Sequence, residues 1–166
     1  MKITLEKWKY EDYIDFYNAS NDIRIYENMS DNFPKTLEEC QKTVKFFSDS
    51  RDVTECIRSI RIDGETVGCI AAFLGSDMYS KNAELAYWLS EKYRGRGVMT
   101  FAVNEFTRIL FSDFQIHRLF ARPFERNKAS HRVLQKSGFQ YEGILIENVL
   151  KNGEFLNSCL FAKIDK

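Results

Sequence analysis

One stretch limits what the chain can become. Leu85-Ala86-Tyr87-Trp88-Leu89 has strand composition, and a short polar step leads from it into Tyr93-Arg94-Gly95-Arg96-Gly97. From Val98 onward apolar residues recur at Ala102, Phe106, Ile109 and Leu110, the spacing of one helical face. A strand therefore hands over to a helix through a glycine-paired basic turn. The first N–H groups of a helix have no intrahelical partner, and its aligned peptide dipoles leave partial positive charge there, so a phosphate can bind to backbone alone. Gly95 and Gly97 lack the Cβ that would hold such a ligand off, while Arg94 and Arg96 add full charges. The turn reads as the seat of an anionic cofactor.

The rest of the chain arranges itself around that turn. Ile3 and Leu5 alternate with polar residues as a first strand, and Glu11 to Tyr17 opens a helix with acidic residues in its first turn. Asn18 to Phe33 is polar, aromatic and irregular. Thr36 and Glu39 form a capping box, from which Leu37, Cys40, Val44 and Phe47 continue a second helix toward Asp49. Glu55 to Ile62 then alternates, with Cys56, Arg58, Ile60 and Ile62 on one face, and Asp63-Gly64 turns it back into Thr66 to Leu74. Lys81 to Leu89 completes a meander. After the helix from Val98 to about Ser112 come a strand at Arg118–Arg122, a helix capped by Asn127 and stopped by Gly138, and two strands, Phe139–Glu147 and Glu154–Ile164, joined around Asn152-Gly153. The order is βααβββαβαββ. Such a chain builds a mixed sheet of the α/β kind with helices on both faces, and 166 residues fit one domain spanning 1–166.

Composition narrows the function classes. Lysine plus arginine number 24 and aspartate plus glutamate 24, so no global charge draws the chain to nucleic acid or to an anionic membrane. No apolar run approaches the roughly 20 residues of a membrane span, and the N-terminus has no apolar core of a leader, so a soluble cytoplasmic protein is expected. Cys40, Cys56, Cys69 and Cys159 are scattered without metal-ligand spacing and read as buried free thiols. With only His117 and His131 besides, no metal site is expected.

At this point the residues resemble a family. Arg94-Gly95-Arg96-Gly97-Val98-Met99 is similar to the [Q/R]-x-x-G-x-[G/A] phosphate loop of the GNAT acetyltransferases. Together with Tyr87-Trp88-Leu89, Asn127-Lys128-Ala129-Ser130 and Gly138-Phe139, it resembles the bacterial branch that acetylates ribosomal-protein N-termini. The resemblance implies the GNAT fold, with acetyl-CoA as cofactor and its pyrophosphate on backbone N–H groups of Arg96, Gly97, Val98, Met99 and Thr100. It implies that the strand ending at Leu89 splays from the strand at Arg118–Arg122, with the pantetheine in the gap beside Tyr87, Trp88 and Leu89. Asn127 and Ser130 would face that arm. The expected acceptor is a primary amine, either a protein N-terminus or a small molecule, and a homodimer is left open.

Three departures bear on the chemistry. Met99 stands where the general loop has a small residue. Leu134 occupies the place of the tyrosine acid of many relatives, which leaves Ser130 to give a proton to the leaving thiolate. Val149 matches a glutamate that some members use as base, so Glu84, three residues before Tyr87, becomes the candidate base, with Glu147 and water behind it. Asp22, Glu27 and Asp31 would draw a cationic acceptor to the irregular segment. Two rivals stand beside this reading: a dinucleotide-binding unit, opposed by Thr100 where the third glycine belongs, and a module of the same fold that binds CoA or protein without turnover.

Overall fold

The glycine turn follows the end of β4, the middle strand of one seven-stranded sheet ordered β1-β2-β3-β4-β5-β7-β6, in a computed structural model that describes residues 1–166. The strands are β1 (Ile3–Glu6), β2 (Glu55–Ile62), β3 (Glu65–Leu74), β4 (Asn82–Leu89), β5 (Arg118–Ala121), β6 (Gln140–Lys151) and β7 (Glu154–Ile164). The helices are α1 (Tyr13–Ser20), α2 (Ile23–Tyr26), α3 (Leu37–Asp49), α4 (Val98–Asp113) and α5 (Lys128–Lys136). The expected order holds with one addition. Asp22 accepts from the Arg24 N–H at 2.9 Å and so caps the single turn of α2 inside the stretch read as irregular. The first helix also starts later than expected, because Tyr10–Asp12 is a turn of 3-10 helix that leads into α1.

Both hairpins are set by their turn residues. Asp63 and Gly64 have φ of 51° and 95°, and Asn152 and Gly153 have 49° and 81°, the left-handed pair a two-residue turn requires. β6 runs on to Lys151 rather than stopping at Glu147. Glu147, at φ 49°, is part of an irregularity between Leu145 and Val149 that the strand absorbs.

While the edge strand β6 is largely exposed, the middle of the sheet, β2 to β4, is buried on both faces. On one, Ile60, Ile70, Leu85 and Leu89 pack against Val98, Ala102, Phe106 and Leu110 of α4, with Leu134 of α5. On the other, Ile57, Cys69 and Trp88 pack against Trp8, Phe16 of α1, Phe33, and Cys40 and Val44 of α3. Cys56, Ile60 and Ile62 share the first face as expected; Ile57 makes β2 two-sided. All four cysteines are buried, and burial pushes the thiols of Cys56 and Cys69 up to about 12. No helix is long and apolar enough to cross a membrane.

One join is parallel. β4 and β5 pair only over Asn82–Arg118, Ala83–Leu119 and Glu84–Phe120. Beyond Glu84 β4 continues to Leu89 while β5 stays with β7 through Ala121–Phe161, so the β5-facing edge of β4 runs on without a strand beside it. The sheet therefore opens at the end of β4, where the chain enters the glycine turn.

Candidate active site

The turn is a ring of unused donors. Gly95 and Gly97 have φ of 73° and 79°, and from Gly95 to Thr100 no backbone N–H finds an acceptor in the chain. Nothing lies within 4 Å of a Cβ built on either glycine. Left-handed residues alternating in a turn point successive N–H groups inward, which makes an anion seat, and the N-terminus of the 16-residue helix α4 adds its dipole. A phosphate fits this loop.

A cavity of about 470 Å³ joins the loop to the open edge of β4 and the first turns of α5. Tyr87, Trp88 and Leu89 form one wall; Arg94, Gly95, Gly97, Val98, Met99 and Thr100 form its end. Asn127 and Ser130 face them from α5. The predicted residues thus meet, with two exceptions. Arg96 is exposed and does not line the cavity. Glu84 does not line it either: both its oxygens accept from Arg122, at 2.8 and 2.7 Å, and the two-residue period of a strand puts it on the face opposite Tyr87.

Arg94 turns back on its own strand. Its Nε donates to the Leu89 carbonyl at 3.1 Å, and desolvation lowers its pKa, so the charge is held at the cavity wall with no carboxylate bound to it. Arg132 and Lys136 also line the cavity and form no ion pair in the chain. Sequence reasoning missed these two. They recur one helical turn apart, and with Ala129 and Val133 they continue the Asn127 face of α5, a periodicity that was available in the sequence. Arg24 lines the cavity too, but is paired with Asp22 and Glu91.

Asn127 accepts the N–H of Ser130 at 3.2 Å and so caps α5. The Ser130 hydroxyl lies 2.7 Å from the Tyr87 hydroxyl across the cavity. Burial raises the Tyr87 phenol, with the Ser130 hydrogen bond working the other way, so the ring is neutral throughout the physiological range.

The irregular segment is strapped over the opening. Asp31 accepts from Lys151 Nζ at 2.9 Å and from the Asn152 N–H at 3.0 Å, and Arg126 donates to the Glu27 carbonyl at 2.7 Å. Of the three acids expected to draw a cation, Asp22 and Asp31 are committed internally, and only Glu27 lines the cavity.

Known proteins resemble the chain in sequence and in fold. The model of the acetyltransferase (GNAT) domain matches residues 2–140. A probable N-acetyltransferase of Bacillus subtilis, YjcK, is 35% identical over 91 residues, 55% of this chain and 50% of that protein. The ribosomal-protein-serine acetyltransferase of Escherichia coli is 27% identical over 139 residues, 80% of this chain and 74% of that protein. The chain spans about half the length of the first of these curated relatives. A solved ribosomal L7/L12 α-N-protein acetyltransferase, RimL, in complex with coenzyme A superposes with a TM-score of 0.89 at 18% identity, covering 99% of this chain and 94% of that one.

Proposed function

This chain belongs to the GNAT acetyltransferase family, and we propose that it moves an acetyl group from acetyl-CoA to the α-amine of a polypeptide by direct attack in a ternary complex. The N–H groups of Gly95 to Thr100 hold the pyrophosphate, with Arg94, Arg132 and Lys136 supplying charge for the cofactor's anionic groups. The free edge of β4 from Tyr87 to Leu89 offers backbone hydrogen bonds to the amide-rich arm. Ser130, in the first turn of α5 where developing negative charge is favoured, donates to the leaving sulfur. Glu84 does not serve as the base here, because it lies outside the cavity with both oxygens on Arg122, and the proton of the amine leaves through water.

The observation that carries the acceptor is what lines the cavity: one acid, Glu27, and no histidine. A site this poor in bases suits an amine that is already partly neutral. An α-amine titrates at about 8 and an alkylamine at about 10.4, so at neutral pH the neutral fraction differs by roughly a few hundred-fold. A polyamine would also need free carboxylates, and Asp22 and Asp31 are engaged.

Free-thiol release from acetyl-CoA across N-terminal peptides, polyamines and small amines tests this reading. Peptide α-amines should turn over at least tenfold faster than polyamines. Thiol release best supported by a polyamine overturns the acceptor. Tight CoA binding with no release for any amine leaves the non-catalytic module. Ser130→Ala should lower kcat about 100-fold, with the KM for acetyl-CoA within twofold of the parent. Asp31→Ala should raise the acceptor KM severalfold, leave that for acetyl-CoA unchanged and lower the thermal midpoint, because it frees the strap and strands the buried Lys151 ammonium.

A further inference from the structure

We infer that Tyr87 is a positioning residue that holds the Ser130 hydroxyl proton toward the cavity. The inference rests on the transferase reading for what the proton is used for, but its geometry stands on the two hydroxyls alone.

Ser130 is the third residue of α5, and a serine there has a competing use for its proton. Its hydroxyl can bond back to the carbonyls three or four residues earlier, here Asn127 or Arg126. It makes no such bond: its only hydrogen-bonding partner is the Tyr87 hydroxyl, 2.7 Å away across the cavity. The Ser130 carbonyl lies 3.5 Å from the same phenol oxygen, at the outer limit of a hydrogen bond, so the hydroxyl pair dominates.

The direction of that bond follows from chemistry. A phenol is the stronger acid and the poorer acceptor, and an aliphatic hydroxyl the reverse. Tyr87 therefore donates and Ser130 Oγ accepts. The one proton of Ser130 is then left over, and Ser130 lines the same cavity as the loop and the edge of β4. A phenol raised by burial does not lose its proton during the reaction, so the arrangement is static: Tyr87 orients and Ser130 donates. The two come from different walls, β4 and α5, so the bond also fixes α5 against the strand edge.

A double-mutant cycle and a spectrum decide it. Tyr87→Phe should lower kcat about tenfold with the KM for acetyl-CoA within twofold, because the freed serine turns back onto its own helix. Ser130→Ala should lower kcat about 100-fold, and the double variant should be no slower than Ser130→Ala alone. A double variant slower by the product of both losses, or a Tyr87→Phe that raises KM at unchanged kcat, overturns the inference. The tyrosine doublet in the Raman difference spectrum of parent minus Ser130→Ala reports the bond without turnover. A donating phenol is expected; an accepting phenol overturns the inference. A donating phenol in a protein that acetylates no amine sinks the transferase reading and leaves the pair intact.

Discussion

Gly97→Glu should abolish binding of both acetyl-CoA and CoA while leaving a folded protein. Gly97 is the N-cap of α4 at φ 79°, with open space where a side chain would go. A carboxylate placed there meets the unbonded N–H groups of Val98, Met99 and Thr100 and the positive end of the helix. In the proposed cofactor site it takes the phosphate's place from within the chain and repels any phosphate that approaches. Strain is the competing effect, since a residue with a Cβ at positive φ costs about 1 kcal/mol. Gly97→Ala separates the two: it carries the strain without the charge, and should lower stability by about that amount and weaken CoA about tenfold. Calorimetric titration with CoA alongside thermal melting reads both. An unchanged Kd for the Gly97→Glu variant removes the loop from the cofactor site.

What was legible in the sequence is what short-range chemistry decides. Asp63-Gly64 and Asn152-Gly153 dictate their turns through positive φ, Thr36 and Glu39 exchange the two bonds of a capping box, and Asn127 caps α5. The loop at Gly95 and Gly97 belongs to this class, and most of the site follows from it. What was not legible depends on residues far apart in the chain. Glu84 reads as a free strand carboxylate until Arg122, 38 residues on, takes both its oxygens. Asp31 reads as a lure for cations until Lys151, 120 residues on, claims it. Tyr87 reads as a backbone partner for the cofactor, and only the approach of α5 to β4 reveals its hydroxyl on Ser130. These pairings change the chemistry of a residue without leaving a local trace, so the local shape of the glycine loop was readable and the partners of Glu84, Asp31 and Tyr87 were not.

Phe16→Ala should cost about 3–5 kcal/mol, a large share of the roughly 5–15 kcal/mol that holds a domain together. Phe16 has no exposed surface, and its ring contacts Trp8, Phe33 and Phe47, with Trp88 edge-on at 4.9 Å. Truncation removes the transfer free energy of the ring and leaves a void that neighbours from β4, α3 and the strap cannot all close, because each is anchored elsewhere. Edge-to-face pairing adds about 0.5–1.5 kcal/mol beyond area, so Phe16→Leu, which keeps most of the volume, should still lose about 1–2 kcal/mol. The effect reaches the site through one side chain. Trp88 belongs to this core and also lines the cavity, and Phe33 holds the end of the strap against it at 6.0 Å. Loosening that contact should raise the acceptor KM more than that for acetyl-CoA, because the proposed phosphate loop lies at the start of α4, which packs on the opposite face. Denaturant unfolding and the two KM values test the two halves separately. A loss below about 1 kcal/mol means that the rings around Phe16 repack freely, and equal KM changes would remove this core as the support of the acceptor side.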